Sequence, residues 1–103
     1  MKTKPLTFLL ALTFLFLFSG SSVVFGDDFQ NGKDAYDRKD YKEAAKWYRL
    51  SAEQGDASAQ CGLGEMHYGG EGVPQDYAEA IRLWKLAAEQ GDEEAQYNLD
   101  NYA

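Results

Sequence analysis

The sequence predicts an all-α fold made of stacked two-helix units, mainly because one phrase occurs in it twice. The stretch 52–63 reads AEQGDASAQCGL, and the stretch 88–99 repeats it as AEQGDEEAQYNL at an offset of 36 residues. The similarity extends over residues 40–67 and 76–103. A fixed period of this length is typical of helical repeats that stack on each other, rather than of a domain with a single core.

Helix starts recur with the same period. Asp40 is followed three positions later by Glu43, and Asp76 is followed in the same way by Glu79. An acidic N-cap with a glutamate three residues on predicts a reciprocal capping pair, in which each carboxylate accepts a hydrogen bond from a free backbone N–H of the first turn.

Helix ends recur as well. Helices are predicted at about 41–54 and 77–90, each with alanines and aromatic residues at three- and four-residue spacing. Gly55 and Gly91 follow these helices, and glycine readily takes the left-handed conformation that ends a helix. The aspartate after each glycine then starts the next helix, so two helices are joined by a very short corner.

The N-terminal stretch 1–26 is predicted to be a signal peptide. Two lysines precede the apolar run 6–18, and the small polar residues 19–22 follow it, which is the order found in secretory leaders. The alternative is an uncleaved membrane anchor, because residues 5–25 nearly reach the length of a span. Cleavage after Gly26 would give a periplasmic or secreted protein.

The predicted mature chain, residues 27–103, is strongly acidic. It keeps eight of the ten Lys and Arg residues and all 17 Asp and Glu residues, a net charge of −9. Nucleic-acid binding depends largely on basic side chains that neutralise phosphates, so this charge argues against DNA or RNA as a partner.

The residues that could support catalysis or metal binding are few. Cys61 is the only cysteine and His67 the only histidine, so no internal disulfide can form and a tetrahedral metal site lacks ligands. Six residues of helix rotate by roughly 600°, which points the two side chains in different directions. The glycine-rich loop 69–75 lacks the Lys-Ser or Lys-Thr of a phosphate-binding loop. We therefore predict no cofactor and no enzymatic activity.

Three stretches of the sequence resemble the Sel1-like repeat family. They are AQCGLGEM at 59–66, GEGVPQDYAEA at 70–80 and WKLAAEQGDEEAQYNL at 84–99. The stretch 29–52, with Gly32, Asp40-Tyr41 and Ala44, resembles the related tetratricopeptide helix pair. Two departures from the family pattern are His67, where the family usually has tyrosine, and Asp100, where it has glycine.

The resemblance implies a right-handed superhelix of antiparallel helix pairs with a concave groove that binds a protein or peptide. It divides the chain into a tetratricopeptide-like pair at 27–56, a Sel1-like repeat at 57–92 and a partial repeat or capping helix at 93–103. By analogy with tetratricopeptide geometry, the groove residues are Ser58, Cys61, Glu65, Tyr68, Glu94, Tyr97 and Asn101.

Several functional readings stay open at this point. The leading one is an exported scaffold for a protein or peptide partner, with self-association through the C-terminal helix as a further option. Some exported family members resemble β-lactamases or penicillin-binding proteins, but those have paired cysteines and this chain has only Cys61. A repeat remnant without a separate activity is the third reading.

Overall fold

The computed structural model describes residues 27–103, and all regular structure in that range is helical. The predicted signal peptide, 1–26, lies outside the described residues. The helices are α1 (27–37), α2 (Tyr41–Glu53), α3 (Ala57–Gly69), α4 (Tyr77–Glu89) and α5 (Glu93–Tyr102). The predicted all-α class is confirmed.

Neighbouring helices along the chain pack against each other. Helix α3 lies against α2 and α4, and α5 lies against α4. Helix α1 rests on α2, where the rings of Phe29 and Tyr48 stack with their centroids 5.5 Å apart. This arrangement agrees with the predicted stack of helix pairs.

Glycines on the first helix of each pair let an aromatic ring of the second helix approach. A Cβ atom added to Gly32 would overlap the ring of Tyr48, and one added to Gly64 would lie 2.7 Å from Nε1 of Trp84. Trp84 is 1% exposed and Tyr48 is 7% exposed. In each helix pair, one buried aromatic ring of the second helix therefore packs directly against a glycine of the first helix.

The capping prediction is half correct. Oδ1 of Asp40 accepts from the backbone N–H of Glu43, and Oδ1 of Asp76 accepts from that of Glu79. The reverse bond, from the aspartate N–H to the glutamate side chain, does not form. Both aspartate N–H groups already donate to carbonyl oxygens of the preceding helix, those of Ala35 and His67.

The short corners that join α2 to α3 and α4 to α5 follow the prediction. Gly55 and Gly91 have φ angles of +100° and +93°, in the left-handed region that glycine adopts at little cost. Asp56 and Asp92 then cap α3 and α5 by accepting hydrogen bonds from Ser58 N and Ala95 N. Such a corner leaves little room for the joined helices to move relative to each other.

None of the helices within residues 27–103 combines the length and the apolar character that crossing a membrane would require.

Candidate functional site

A cavity of about 250 Å³ lies where α1, α3 and the start of α5 meet. We call it the acidic cavity, because Glu65, Asp92 and Glu94 line it and Lys33 is its single basic residue. Phe29 and Tyr48 form an aromatic wall on the side of α1 and α2.

A second cavity of about 310 Å³ adjoins the first. We call it the aromatic cavity; its lining residues are Glu65, Tyr68, Trp84, Asn98 and Tyr102. Glu65 lines both cavities, so together they form one surface across α1, α3 and α5. This combined surface is referred to below as the groove.

The groove brings together five of the seven residues that the sequence predicted for it. These are Ser58, Cys61, Glu65, Tyr68 and Glu94. Tyr97 and Asn101 line neither cavity. The side chain of Asn101 donates instead to the backbone carbonyl of Tyr97 on the same helix, at 2.7 Å.

Glu65 carries the most perturbed carboxyl group of the groove. Although part of the residue remains exposed, burial of its carboxyl and the neighbouring carboxylate of Glu94 raise its pKa to about 7. A hydrogen bond from Nδ2 of Asn98 to Oε2 of Glu65, at 3.3 Å, acts in the opposite direction. Near neutral pH, Glu65 therefore exists in both its protonated and its charged form.

Asn98 is a groove residue that the sequence did not reveal. It is 5% exposed, and its side-chain amide donates to Glu65 and, at 3.8 Å, to Sγ of Cys61. It ties α5 to α3. Its counterpart in the preceding repeat is Gly62, and this exchange of a small residue for an amide is the one signal that could have drawn attention to it.

Tyr68 is the centre of an aromatic group at the other end of the groove. Its ring centroid lies 5.0 Å from Tyr77, 5.6 Å from Trp84 and 5.4 Å from Tyr102. Such tilted ring contacts add to the stabilisation that comes from area burial alone. The prediction included Tyr68 but not Trp84 or Tyr102, which come from the two following helices.

The thiol of Cys61 is buried and protonated. Burial, followed by the negative charges of Glu65 and Asp92, raises its pKa, and a thiol without thiolate character is a poor nucleophile. His67 is engaged elsewhere, since its Nδ1 donates to the carbonyl oxygen of Pro74 at 3.3 Å. The two residues do not form a Cys–His pair, and this part of the structure offers no support for the β-lactam hydrolase reading.

The rest of residues 27–103 offers no metal site but includes a further cavity. Within residues 27–103, no group of three or more His, Cys, Asp or Glu side chains is arranged to hold a metal ion. A further cavity of about 310 Å³ between α2, α3 and α4 includes Arg49 and Arg82 and shares no lining residue with the groove. Arg82 there already donates two hydrogen bonds to Glu79.

Stacked helix pairs closed by aromatic residues on glycine surfaces define a helical-repeat protein. The Sel1 repeat model matches residues 29–56 and 57–92, and the chain therefore belongs to the Sel1 repeat family. Sel1 repeats are generally protein-interaction scaffolds, and the family is typically non-catalytic. A comparison with curated proteins found no match.

Proposed function

We propose that this protein is an exported scaffold that binds a segment of another protein in the groove across α1, α3 and α5. The observation that carries the proposal is the continuity of the two cavities through Glu65. It gives the first helices of successive repeats one shared surface. A linear segment can lie across such a surface and contact several repeats.

The chemistry of the groove supports a peptide ligand. Its aromatic cavity offers tyrosine and tryptophan surface, the residue types that are enriched at protein interfaces. Its acidic cavity offers carboxylates that can pair with a partner's polar groups. Binding sites commonly combine apolar walls with a few polar groups that fix orientation.

Site-specific photocrosslinking tests the proposal. A photoreactive benzoylphenylalanine at Ser58, which is exposed and lines the acidic cavity, is expected to form a covalent adduct with a partner in the native cell. The same group at Lys85, which is exposed on α4 and lines neither cavity of the groove, is the matched control. Equal adducts from both positions, or none from Ser58, would contradict the proposal.

Export is proposed from the leader at 1–26 and leads to a periplasmic or secreted location. Mass spectrometry of the native protein is expected to find a mature N-terminus within a few residues of Asp27. Native protein that still contains the leader would favour the membrane-anchored alternative instead.

Self-association through α5 is a second proposed interaction. Tyr97 and Tyr102 are 59% and 50% exposed, and both lie on α5. Asp100 is exposed beside them and accepts from Gln96 rather than packing against a ring. A second copy of the chain would cover the two tyrosines.

A further inference from the structure

We infer that the acidic cavity is a docking pocket for an arginine side chain of the partner segment. This inference rests on the proposed function and names the chemistry of the ligand at one position. Three features of the cavity support it: its charge, its aromatic wall and its size.

The charge of the cavity is unbalanced. Three carboxyl groups, those of Glu65, Asp92 and Glu94, line the cavity together with a single ammonium group, that of Lys33. The ion pairs found within the described helices join Arg82 to Glu79 and Lys46 to Glu43, so they do not neutralise these acids. A cation that enters the cavity would pair with carboxylates that have no basic partner among residues 27–103.

The aromatic wall is suited to a planar cation. Phe29 stacks on Tyr48, and Nζ of Lys33 already lies 5.8 Å from the centroid of the Phe29 ring. This distance is within the range of a cation–π contact between the ammonium group and the ring. A guanidinium group stacks on aromatic faces and binds carboxylates through two parallel N–H groups, which an ammonium group cannot do.

The size of the cavity fits one side chain. At about 250 Å³, it is smaller than most sites for complete small molecules, which begin at about 300 Å³. Ser58, at its rim, is exposed, so the backbone of a bound segment can run outside while one side chain enters.

The protonation of Glu65 gives the inference a specific consequence. The charged groups that act on Glu65 are Glu94 and Asp92 at the start of α5, and Asn98 donates a hydrogen bond to it. Lys33 of α1 and Tyr48 of α2 line the same cavity. With the pKa of Glu65 raised to about 7, an arriving guanidinium displaces a proton from the carboxyl pair. Binding therefore strengthens as the pH rises through neutrality.

The test uses the full mature chain and three fluorescein-labelled peptides of the sequence Gly-Ser-Gly-Xaa-Gly-Ser-Gly, in which Xaa is arginine, lysine or glutamine. At about pH 8, where the carboxyl is charged, we expect the arginine peptide to bind at least about tenfold more tightly than the glutamine peptide. We expect its affinity to fall several-fold by about pH 6. Glu65→Gln should reduce the preference several-fold, because Asp92 and Glu94 remain, and should abolish the pH dependence, whereas Glu93→Gln should change affinity less than about twofold. Glu93 is also exposed in the first turn of α5 but does not line the cavity.

Four results would overturn the inference. They are equal binding of the arginine and glutamine peptides, equal binding of the lysine peptide, equal losses in both glutamate variants, and no binding of any peptide. Glu65→Gln removes the repulsion between the carboxylates of Glu65 and Glu94, so we expect the variant to stay folded. Circular dichroism checks that its helix content is unchanged. Tight binding of the glutamine peptide would leave the scaffold proposal standing, and the crosslinking from Ser58 decides that proposal separately.

Discussion

At the residue scale, two equivalent glycines explain how each helix pair closes. Gly32 and Gly64 both face the aromatic residue of the helix that follows, and neither site has room for a Cβ atom. Glycine within a helix costs roughly 1 kcal/mol relative to alanine. Burial of an aromatic side chain contributes more than that, so the glycine is favoured by packing.

Substituting Gly64 with alanine tests this account. The added methyl group would lie 2.7 Å from Nε1 of Trp84 and 3.2 Å from the carbonyl oxygen of Ala80. We expect the free energy of unfolding in urea to fall by about 1–3 kcal/mol, the usual cost of overpacking. Gly69→Ala is the control, because its Cβ would meet only Glu71 at 3.6 Å; it should be neutral or slightly stabilising. Similar losses in both variants would show that packing against Trp84 is not the cause.

Glu65 makes stability depend on pH in an unusual direction. Its pKa in the folded protein is about 7, above the ordinary value of 4.5, so the folded state binds the proton more tightly than the unfolded state. Its contribution to stability is therefore greatest at acid pH and is lost as the pH rises towards and beyond about 7. Most carboxylates in proteins have the opposite effect.

We expect the melting temperature to rise when the pH is lowered from about 8 to about 5.5. The contribution of Glu65 should not exceed about 1 kcal/mol, because solvent screens a partly exposed carboxyl. Glu65→Gln should raise the melting temperature at the higher pH and flatten the profile. An unchanged profile in this variant would show that other groups govern the pH response.

At the element scale, α4 holds the second half of the molecule together. It packs against both α3 and α5, and its Trp84 is 1% exposed beneath Gly64 and beside Tyr68. The three- and four-residue spacing in the predicted helix 77–90 places Trp84 on one face with its alanines. That spacing does not show that the same residue also lines the groove.

Replacing Trp84 with alanine should therefore be severe. We expect a loss of about 3–5 kcal/mol in the free energy of unfolding, from lost burial and from the cavity left behind. Leu86→Ala, on the same helix at 37% exposure, should cost less than about 1 kcal/mol. Urea unfolding followed by circular dichroism measures both values. A loss for Trp84→Ala no larger than that for Leu86→Ala would refute the assignment of Trp84 as the anchor of α4.

At the scale of the whole molecule, the prominent surface features are the groove and the exposed tyrosines of α5. The groove crosses α1, α3 and α5, whereas Tyr97 lies outside both of its cavities. Tyr102 lines the aromatic cavity, so Tyr97 is the tyrosine of α5 whose substitution tests self-association without changing a groove residue.

Self-association predicts a dimer that depends on concentration. In sedimentation velocity, we expect Tyr97→Gln to shift the protein towards monomer, because Tyr97 is 59% exposed on α5. Tyr77→Gln is the matched control, since Tyr77 is 55% exposed but belongs to α4. A purely monomeric wild-type protein at all concentrations, or an equal effect of both substitutions, would contradict self-association through α5.

The sequence by itself determined the helices and their order. The period of 36 residues, the aspartate caps and the glycines at 55 and 91 are local signals, and each acts on the backbone within a few residues of itself. The two long helices therefore end within one residue of their predicted limits, at Glu53 and Glu89. The reciprocal capping bond was the local prediction that failed, because the backbone N–H groups of Asp40 and Asp76 donate instead to carbonyl oxygens of the preceding helix.

Only the tertiary structure decided which side chains meet in the groove. Asn98 and Glu65 are 33 residues apart, and their contact depends on how α5 is rotated against α3, which no local pattern specifies. The raised pKa of Glu65 has the same origin, because it needs Glu94 and burial together. Repeat analogy brought Ser58, Cys61, Glu65, Tyr68 and Glu94 to this surface, but the charge and the aromatic wall that define its chemistry arise from packing between repeats.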